Sequence, residues 1–389
     1  MLAAHYRAMY LKEIRMAKLN RDIQSGITYV LARADTLKTE KTALDLFGDE
    51  TDSVLIGKRN WGIFEMATVK SFLFSDTLKC SFLMGIENRK DSLSLYLSDE
   101  DRPLSVIGNT RIMGNVKVPK TGMRISYVDN RPYTGEKMVY GRIMDSKKTL
   151  GGLEKKWVNE IDKKLDSNLT AFPKLGIEKQ HVSFFSPAKS YNASGVKILS
   201  NHLSGQIILY SDTAIAVSAT AKLDNVIIYA QSIKIEKGFK GNCQLFARDS
   251  IVVENNAVLE YPSVLALVSK EKMVDQAKIT LGNNVRFQGI ILTYEPKRSA
   301  LQTMVSLGEK TVVSGEIYVT GLVKLAKNVI VEGKVSCNRF IMQTPATLYE
   351  NFLIDVILNR KRRSRFYLTS GIFTGEKGRK KVLKWGEGF

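Results

Sequence analysis

The feature that most constrains this chain is an internal repeat with a fixed period. Ile215, Ile233 and Ile251 are each 18 positions apart, and each is followed two positions later by Val or Ile. The same interval relates two apolar segments between positions 305 and 325. A fixed period of short β-branched segments separated by Gly, Asn and Lys is typical of stacked strands. The sequence therefore predicts a mainly β protein whose main part, residues 203–345, is a β-helix of about 18 residues per turn.

Local patterns assign the rest of the chain. Apolar residues between positions 16 and 30 recur at helical spacing, segments between 53 and 100 alternate like antiparallel strands, and Gly-Asn corners at Gly108 and Gly114 suit early coils of the β-helix. Trp157 and Ile161 lie on one face of a second predicted helix. The predicted regions are an N-terminal amphipathic helix (1–35), a small antiparallel β meander (36–102), first β-helix turns (103–145), one helical insertion (146–202), the main β-helix (203–345), and a capping segment with a basic tail (346–389).

The net charge of +19 permits an anionic partner. A plain alternative is that lysines keep a long β protein soluble and protect its edges. Charge is densest in residues 351–389, which hold ten lysines and arginines against three acidic residues. This tail favours an anionic polysaccharide or a lipid surface over nucleic acid, although a solvated terminus would look the same. The candidate anion-binding residues are Arg360, Lys361, Arg362, Arg363, Arg365, Arg379, Lys380 and Lys381.

Catalytic motifs are absent from the sequence. We find no nucleophile elbow, metalloprotease helix or phosphate-binding loop, so we predict no catalytic residue, no cofactor and no metal site. The isolated His181 and His202 are predicted to be structural, and three widely spaced cysteines predict neither a disulfide framework nor a zinc site. A polysaccharide-degrading β-helix would need carboxylates close together. Its candidates, Asp212, Asp249 and Glu254, are more simply outward-facing polar residues.

No apolar run in the sequence is long enough to predict a membrane span. The chain nevertheless opens inside an apparent helix at Met1-Leu2-Ala3-Ala4, which favours a helix that continues a membrane anchor missing from this sequence. A basic amphipathic helix lying on a membrane also fits the pattern, and a helix packed on the first sheet fits it better.

Two resemblances add to this interpretation. The repeating coil over 203–345 is similar in architecture to bactofilins, which are polymer-forming cytoskeletal scaffolds. A second resemblance covers most of the chain and is carried by the stretches Asp52–Leu55, Trp61–Glu65, Pro103–Ile112, Gly238–Gly241 and Tyr261–Ser263. In these stretches the chain resembles an uncharacterised family of Bacteroidota envelope-associated proteins with a pilin-like N-terminal helix.

The resemblances imply a non-enzymatic structural or interaction protein of the bacterial cell envelope, in its most concrete form a minor pilin-like subunit. Its expected location is extracytoplasmic and membrane-anchored, with protein partners in an envelope assembly. Two alternatives stay open, a polysaccharide-binding or polysaccharide-degrading β-helix protein and a cytoplasmic bactofilin-like scaffold.

Overall fold

The computed structural model of the protein describes residues 1–37, 42–44, 53–88, 91–128, 130–176, 178–270, 275–344, 347–375 and 378–387. Residues 45–52, which the sequence assigns to the start of the meander, lie outside this set. The chain divides into two compact units. Unit 1 comprises Met1–Asn88, Ser183–Pro187 and Leu368–Phe389, and unit 2 comprises Arg89–Val182 and Ala188–Tyr367.

Two α-helices and many short strands make up the described residues. The first elements are α1 (Leu2–Arg33), β1 (Thr42–Leu44), β2 (Ser53–Trp61), β3 (Phe64–Leu73), β4 (Asp76–Glu87), β5 (Leu93–Leu97), β6 (Leu104–Ile107), β7 (Arg111–Met113), β8 (Asn115–Val118), β9 (Met123–Ile125), β10 (Val139–Tyr140), β11 (Ile143–Asp145) and α2 (Lys155–Leu165). The middle strands are β12 (Lys179–Val182), β13 (Lys189–Asn192), β14 (Ile198–Leu199), β15 (His202–Gly205), β16 (Ile207–Tyr210), β17 (Ala214–Val217), β18 (Lys222–Ile235), β19 (Lys240–Val253) and β20 (Val258–Val268). The last strands are β21 (Lys278–Leu281), β22 (Arg286–Tyr294), β23 (Met304–Leu307), β24 (Val312–Leu325), β25 (Ile330–Gln343), β26 (Leu348–Glu350), β27 (Phe352–Ile354), β28 (Ile357–Asn359) and β29 (Arg379–Trp385).

Unit 1 is an antiparallel sheet that packs against the second half of α1. The strand order is β1-β2-β3-β4-β29, so the C-terminal strand completes a sheet begun near the N-terminus. Ile23, Ile27 and Val30 of α1 are buried in one core with the sheet. Gly26 lies on the same face, and a Cβ there would meet Val69 Cγ1 at 2.7 Å. This glycine, which is unfavourable within a helix, therefore allows α1 to approach the sheet closely.

The first half of α1 buries none of its large side chains. Every residue from Met1 to Ile14 is exposed, whereas Leu19 and Val30 are fully buried. Neither α1 nor α2 combines the length and apolar character that crossing a bilayer requires, among the residues described.

Parallel pairing dominates unit 2. Ile215 of β17 pairs with Ile233 of β18, which pairs with Ile251 of β19, so the three aligned isoleucines are lateral neighbours in one ladder. Their buried side chains belong to a continuous apolar core that runs through the unit. Burying such side chains contributes about 1.5–3 kcal/mol each and drives the strands together.

The predicted β-helix of about 18 residues per turn is wrong as a description of this fold. Six parallel strands instead form a closed barrel, pairing in the cycle β19-β20-β22-β24-β23-β21, with further strands outside it. The ring closes because β19 and β24 are long strands that each pair with different neighbours along their two halves. Intervals along the ladder also vary. Ile279 pairs with Ile251 on one side and with Val305 on the other, and neither interval equals the period of the three isoleucines.

The strands between 93 and 145 do not precede the repeat in space. β5 pairs with β25, and β7 pairs with β28, so this segment continues the ladder beyond its C-terminal strands. β10 and β11 then pair with β7 and β8. The first β-helix turns predicted for 103–145 are therefore neighbours of residues 352–359, and no pattern within either segment alone encodes that pairing.

Helix α2 lies against the middle of the parallel sheet. Trp157 and Ile161 are buried, in agreement with the helical face seen in the sequence. Arg248 of β19 is 3% exposed and donates to the carboxylate of Asp162 and, at 2.9 Å, to its backbone oxygen. It also lies 3.0 Å from the carboxylate of Asp166. A buried arginine with several acceptors fixes the helix to the sheet.

Candidate functional site

A groove of about 890 Å³ lies over strands β12 and β15 and the starts of β18 and β19. Three lysines line it, together with two histidines, two acidic residues and several small polar side chains. Lys179, Lys222 and Lys240 are exposed, and His202 is half-buried. We call these four residues the cation ladder.

Strand pairing places the cation ladder in one row. Lys179 pairs with His202, and His202 pairs with Lys222. Pairing of Asp224 with Asn242 in turn sets Lys222 opposite Lys240. Neighbouring strands are about 4.8 Å apart, so the row spans about 14 Å. Like charges directly opposite one another in a sheet are destabilising, which makes such a row a candidate binding feature.

Polar side chains accompany the ladder on the same strands. His181 Nδ1 lies 2.9 Å from Ser204 Oγ. The side-chain amide of Asn242 donates to the backbone oxygen of Glu260 at 3.0 Å. Glu260 also approaches Lys240, with 3.2 Å between the carboxylate and Nζ. The groove therefore offers cations, neutral hydrogen-bonding groups and carboxylates together.

The predicted anion-binding residues of the tail are divided between the two units. Arg360, Lys361, Arg362, Arg363 and Arg365 belong to unit 2, whereas Arg379, Lys380 and Lys381 belong to unit 1, the last three on β29. These eight residues therefore do not form one continuous basic tail.

Several of these cations already pair with carboxylates. Arg363 donates to Glu316 at 3.0 Å, Lys380 to Glu65 at 2.5 Å, and Lys381 to Glu87 at 2.9 Å. Arg360 is 9% exposed, and burial lowers the pKa of its guanidinium from the usual value. Lys361, Arg362, Arg365 and Arg379 are exposed.

The Asp91 carboxylate approaches two cations in unit 2. Its side chain lies 3.1 Å from Lys334 Nζ and 3.8 Å from Arg360. Burial alone would raise the pKa of Asp91, but Lys334, the Leu93 amide and Arg360 hold it below its ordinary value. This cluster connects β25, the segment before β5 and residue 360, so its role is to hold sequence-distant segments together.

The carboxylates considered for catalysis have other contacts. Asp249 accepts a 2.6 Å hydrogen bond from Gln231, and Glu254 lies 2.8 Å from Lys234 Nζ. That lysine and the Lys237 amide lower the pKa of Glu254. At Asp212 the backbone amide donates to Ser194. Gln231 lies on the strand between Asp249 and the segment of Asp212, so the described residues provide no close carboxylate pair there.

The described residues form neither a metal-binding site nor a reactive thiol site. No group of three or more His, Cys, Asp or Glu side chains there could hold a metal ion. Cys80, Cys243 and Cys337 are buried and unpaired. Burial raises the pKa of Cys80 and Cys243 to about 12 and shifts that of Cys337 upward as well.

The groove was not predicted from the sequence. His181 and His202 look isolated there, because their ladder partners lie at intervals that differ from the period of the repeat. Lys222 and Lys240 are separated by the period of the repeat, and this spacing is the sequence feature that could have indicated the row of lysines.

Comparison with known proteins adds little. No family model and no curated protein matches the sequence. Among solved structures, the chain is similar to the competence-associated pilin ComZ from Thermus thermophilus, with 13% identity, a TM-score of 0.22, and coverage of 90% of this chain and 86% of that one. A likeness this weak carries no argument about function. No match supports the resemblance to a Bacteroidota family or to bactofilins.

Proposed function

We propose that this protein is a non-enzymatic structural or interaction protein of the bacterial cell envelope, acting as a minor pilin-like subunit that assembles through α1. The observation that carries the proposal is the contrast between the two halves of that helix. Residues 23–30 pack on the antiparallel sheet of unit 1, while residues 1–14 are exposed.

The exposed half of α1 has an apolar stripe. Leu2, Tyr6 and Met9 are spaced four and three positions apart and therefore lie on one face. Their exposed fractions are 71%, 63% and 49%. Large apolar side chains grouped on one exposed face are typical of interaction surfaces. Burying each against another helix would contribute about 1.5–3 kcal/mol, which is sufficient to drive association when several act together.

Basic residues flank this stripe. Arg7 and Lys12 are exposed on α1, and Glu13 is the one acidic residue between Met1 and Arg21. The combination of an apolar face and cationic flanks suits helix packing next to an anionic surface. We therefore propose an envelope location, with copies of the chain meeting along α1.

Site-specific cross-linking tests the proposal. Cys80, Cys243 and Cys337 are buried, so the thiol introduced by Met9→Cys is the one that a reagent can reach. We expect a short bifunctional maleimide to link copies of this variant in the envelope fraction of cells that produce it. Phe366→Cys, at an 81% exposed position of unit 2, is the matched control and should link far less. Monomeric Met9→Cys protein recovered from the cytosol would contradict both the assembly and the location.

A further inference from the structure

We propose that the groove over β12, β15, β18 and β19 binds an acidic polysaccharide, whose carboxylates lie along the cation ladder. This inference is independent of the proposed assembly through α1, because the ladder belongs entirely to unit 2. It assigns a ligand class to a surface other than the basic tail.

The ladder has a regular geometry that a linear polymer could follow. Lys179, His202 and Lys222 occupy successive positions on three hydrogen-bonded strands, and Lys240 extends the row to a fourth. Because the strands are about 4.8 Å apart, these four side chains are presented at a nearly constant interval. A polymer lying across the strands would meet them in turn and offset the repulsion between the lysines.

Neutral groups beside the ladder match the hydroxyls of a sugar. Gln180, Ser204, Thr220 and Asn242 line the groove. Each has a side chain that can donate or accept hydrogen bonds, as sugar hydroxyls require. Charged and neutral parts of one polymer would therefore both find partners in the groove.

The groove is poorly suited to nucleic acid. Among the described residues, its lining contains no Phe, Tyr or Trp side chain on which a base could stack. Asp224 and Glu260 also line it, and Glu260 already lies 3.2 Å from Lys240. Asp224 and Glu260 can accept hydrogen bonds from sugar hydroxyls, which duplex DNA does not offer along its backbone. The observations therefore favour carboxylates carried on a hydroxyl-rich chain.

The test compares binding of the full chain to polygalacturonate, to uncharged dextran and to duplex DNA by isothermal titration calorimetry. We expect binding to polygalacturonate and none to dextran. The Lys179→Gln/Lys222→Gln variant should bind polygalacturonate about tenfold more weakly and with a shallower salt dependence, since two ion contacts are lost. The Lys179→Arg/Lys222→Arg variant should retain binding.

Two matched controls remove the same charge elsewhere in unit 2. Lys278→Gln/Lys327→Gln changes exposed lysines away from the groove, and Arg362→Gln/Arg365→Gln changes the basic tail. Both should bind as the unaltered protein does, and circular dichroism should show all variants folded. Absence of binding, equal loss in the controls, or DNA displacing the polymer from the same lysines would each overturn the proposal.

Discussion

Units 1 and 2 solve the same problem, the burial of apolar strand faces, in opposite ways. In unit 1, β2, β3 and β4 are consecutive antiparallel neighbours joined by short turns, and α1 covers them. In unit 2, parallel strands close into a ring and recruit a segment from a distant part of the sequence, since β5 pairs with β25. Antiparallel neighbours need only a turn, whereas parallel neighbours need a long connection.

The difference has a consequence for where each unit is vulnerable. Unit 1 depends on one helix–sheet interface formed by residues close in sequence, except for β29. Unit 2 depends on close backbone approach between strands and on ion pairs that join remote segments. Substitutions at these features should therefore separate the two units.

The largest expected effect is at the glycine row of unit 2. Gly289, Gly315 and Gly333 pair with one another across β22, β24 and β25. A Cβ at Gly315 would lie 1.9 Å from the backbone oxygen of Gly289, and φ there is +149°. We expect Gly315→Ala to lower the free energy of unfolding by about 4 kcal/mol. Urea unfolding checks this, with Gly151→Ala as the control because no described atom lies near its Cβ; equal stability of the two variants would contradict it.

The second effect concerns the Asp91 cluster. Replacing this paired carboxylate, whose side chain is 10% exposed, leaves Lys334 and Arg360 without it, so Asp91→Asn should destabilise by about 3 kcal/mol at pH 7. Because the folded-state pKa of Asp91 lies below its ordinary value of 3.8, the stabilisation is present above that value and is lost as pH falls through the folded-state pKa. Urea unfolding of both proteins at pH 7 and pH 2.5 should show the difference shrinking in acid. A difference independent of pH would refute this role for the carboxylate.

In unit 1 the corresponding test is at Gly26. Gly26→Leu would force a side chain between α1 and Val69, where a Cβ alone meets a methyl group at 2.7 Å. We expect about 2 kcal/mol of destabilisation from overpacking, despite the better helix propensity of leucine. Gln24→Leu, at an exposed position of the same helix, should change stability little. Thermal unfolding of the two variants distinguishes them, and a stabilised Gly26→Leu would show that the close approach is absent.

The smallest expected effect is the reactivity of the native thiols in the folded protein, which requires no substitution and reports on each unit separately. Cys80 lies in unit 1, while Cys243 and Cys337 lie in unit 2, and all three are buried with a raised pKa. We expect no thiol to react with Ellman's reagent at pH 8 in the folded protein, because thiolates are the reactive form. Mass spectrometry at increasing urea should show which unit opens first. Rapid reaction without urea would contradict the burial.

Local features of this fold were predictable from local sequence. Apolar spacing in residues 16–30 predicts a helix, and α1 spans Leu2–Arg33. Alternation between 53 and 100 predicts antiparallel strands, and β2, β3 and β4 pair in that way. The alignment of Ile215 with Ile233 likewise corresponds to neighbouring positions in a ladder. Each of these signals reflects contacts that recur at a short, fixed interval.

The features that could not be predicted from the sequence depend on contacts between segments that are far apart in the chain. Nothing in Leu95 indicates that it pairs with Val335, or that β24 changes its pairing from β22 to β23 and closes a ring. The groove was missed for the same reason, since Lys179 and Lys222 meet His202 at unequal separations. The residues of the basic tail show the opposite case, since they are close in sequence and belong to different units.

Zero-length cross-linking tests the central claim, that the N-terminal strands of unit 2 complete a ladder begun by its C-terminal strands. Asp91 and Lys334 are far apart in sequence, yet the Asp91 carboxylate lies 3.1 Å from Lys334 Nζ. A carbodiimide should join them in the folded monomer, as it should join Lys380 to Glu65 in unit 1. Recovery of an Asp91–Lys334 isopeptide by mass spectrometry is the predicted result. Coupling of Lys380 to Glu65 without any link between Asp91 and Lys334 would contradict the account.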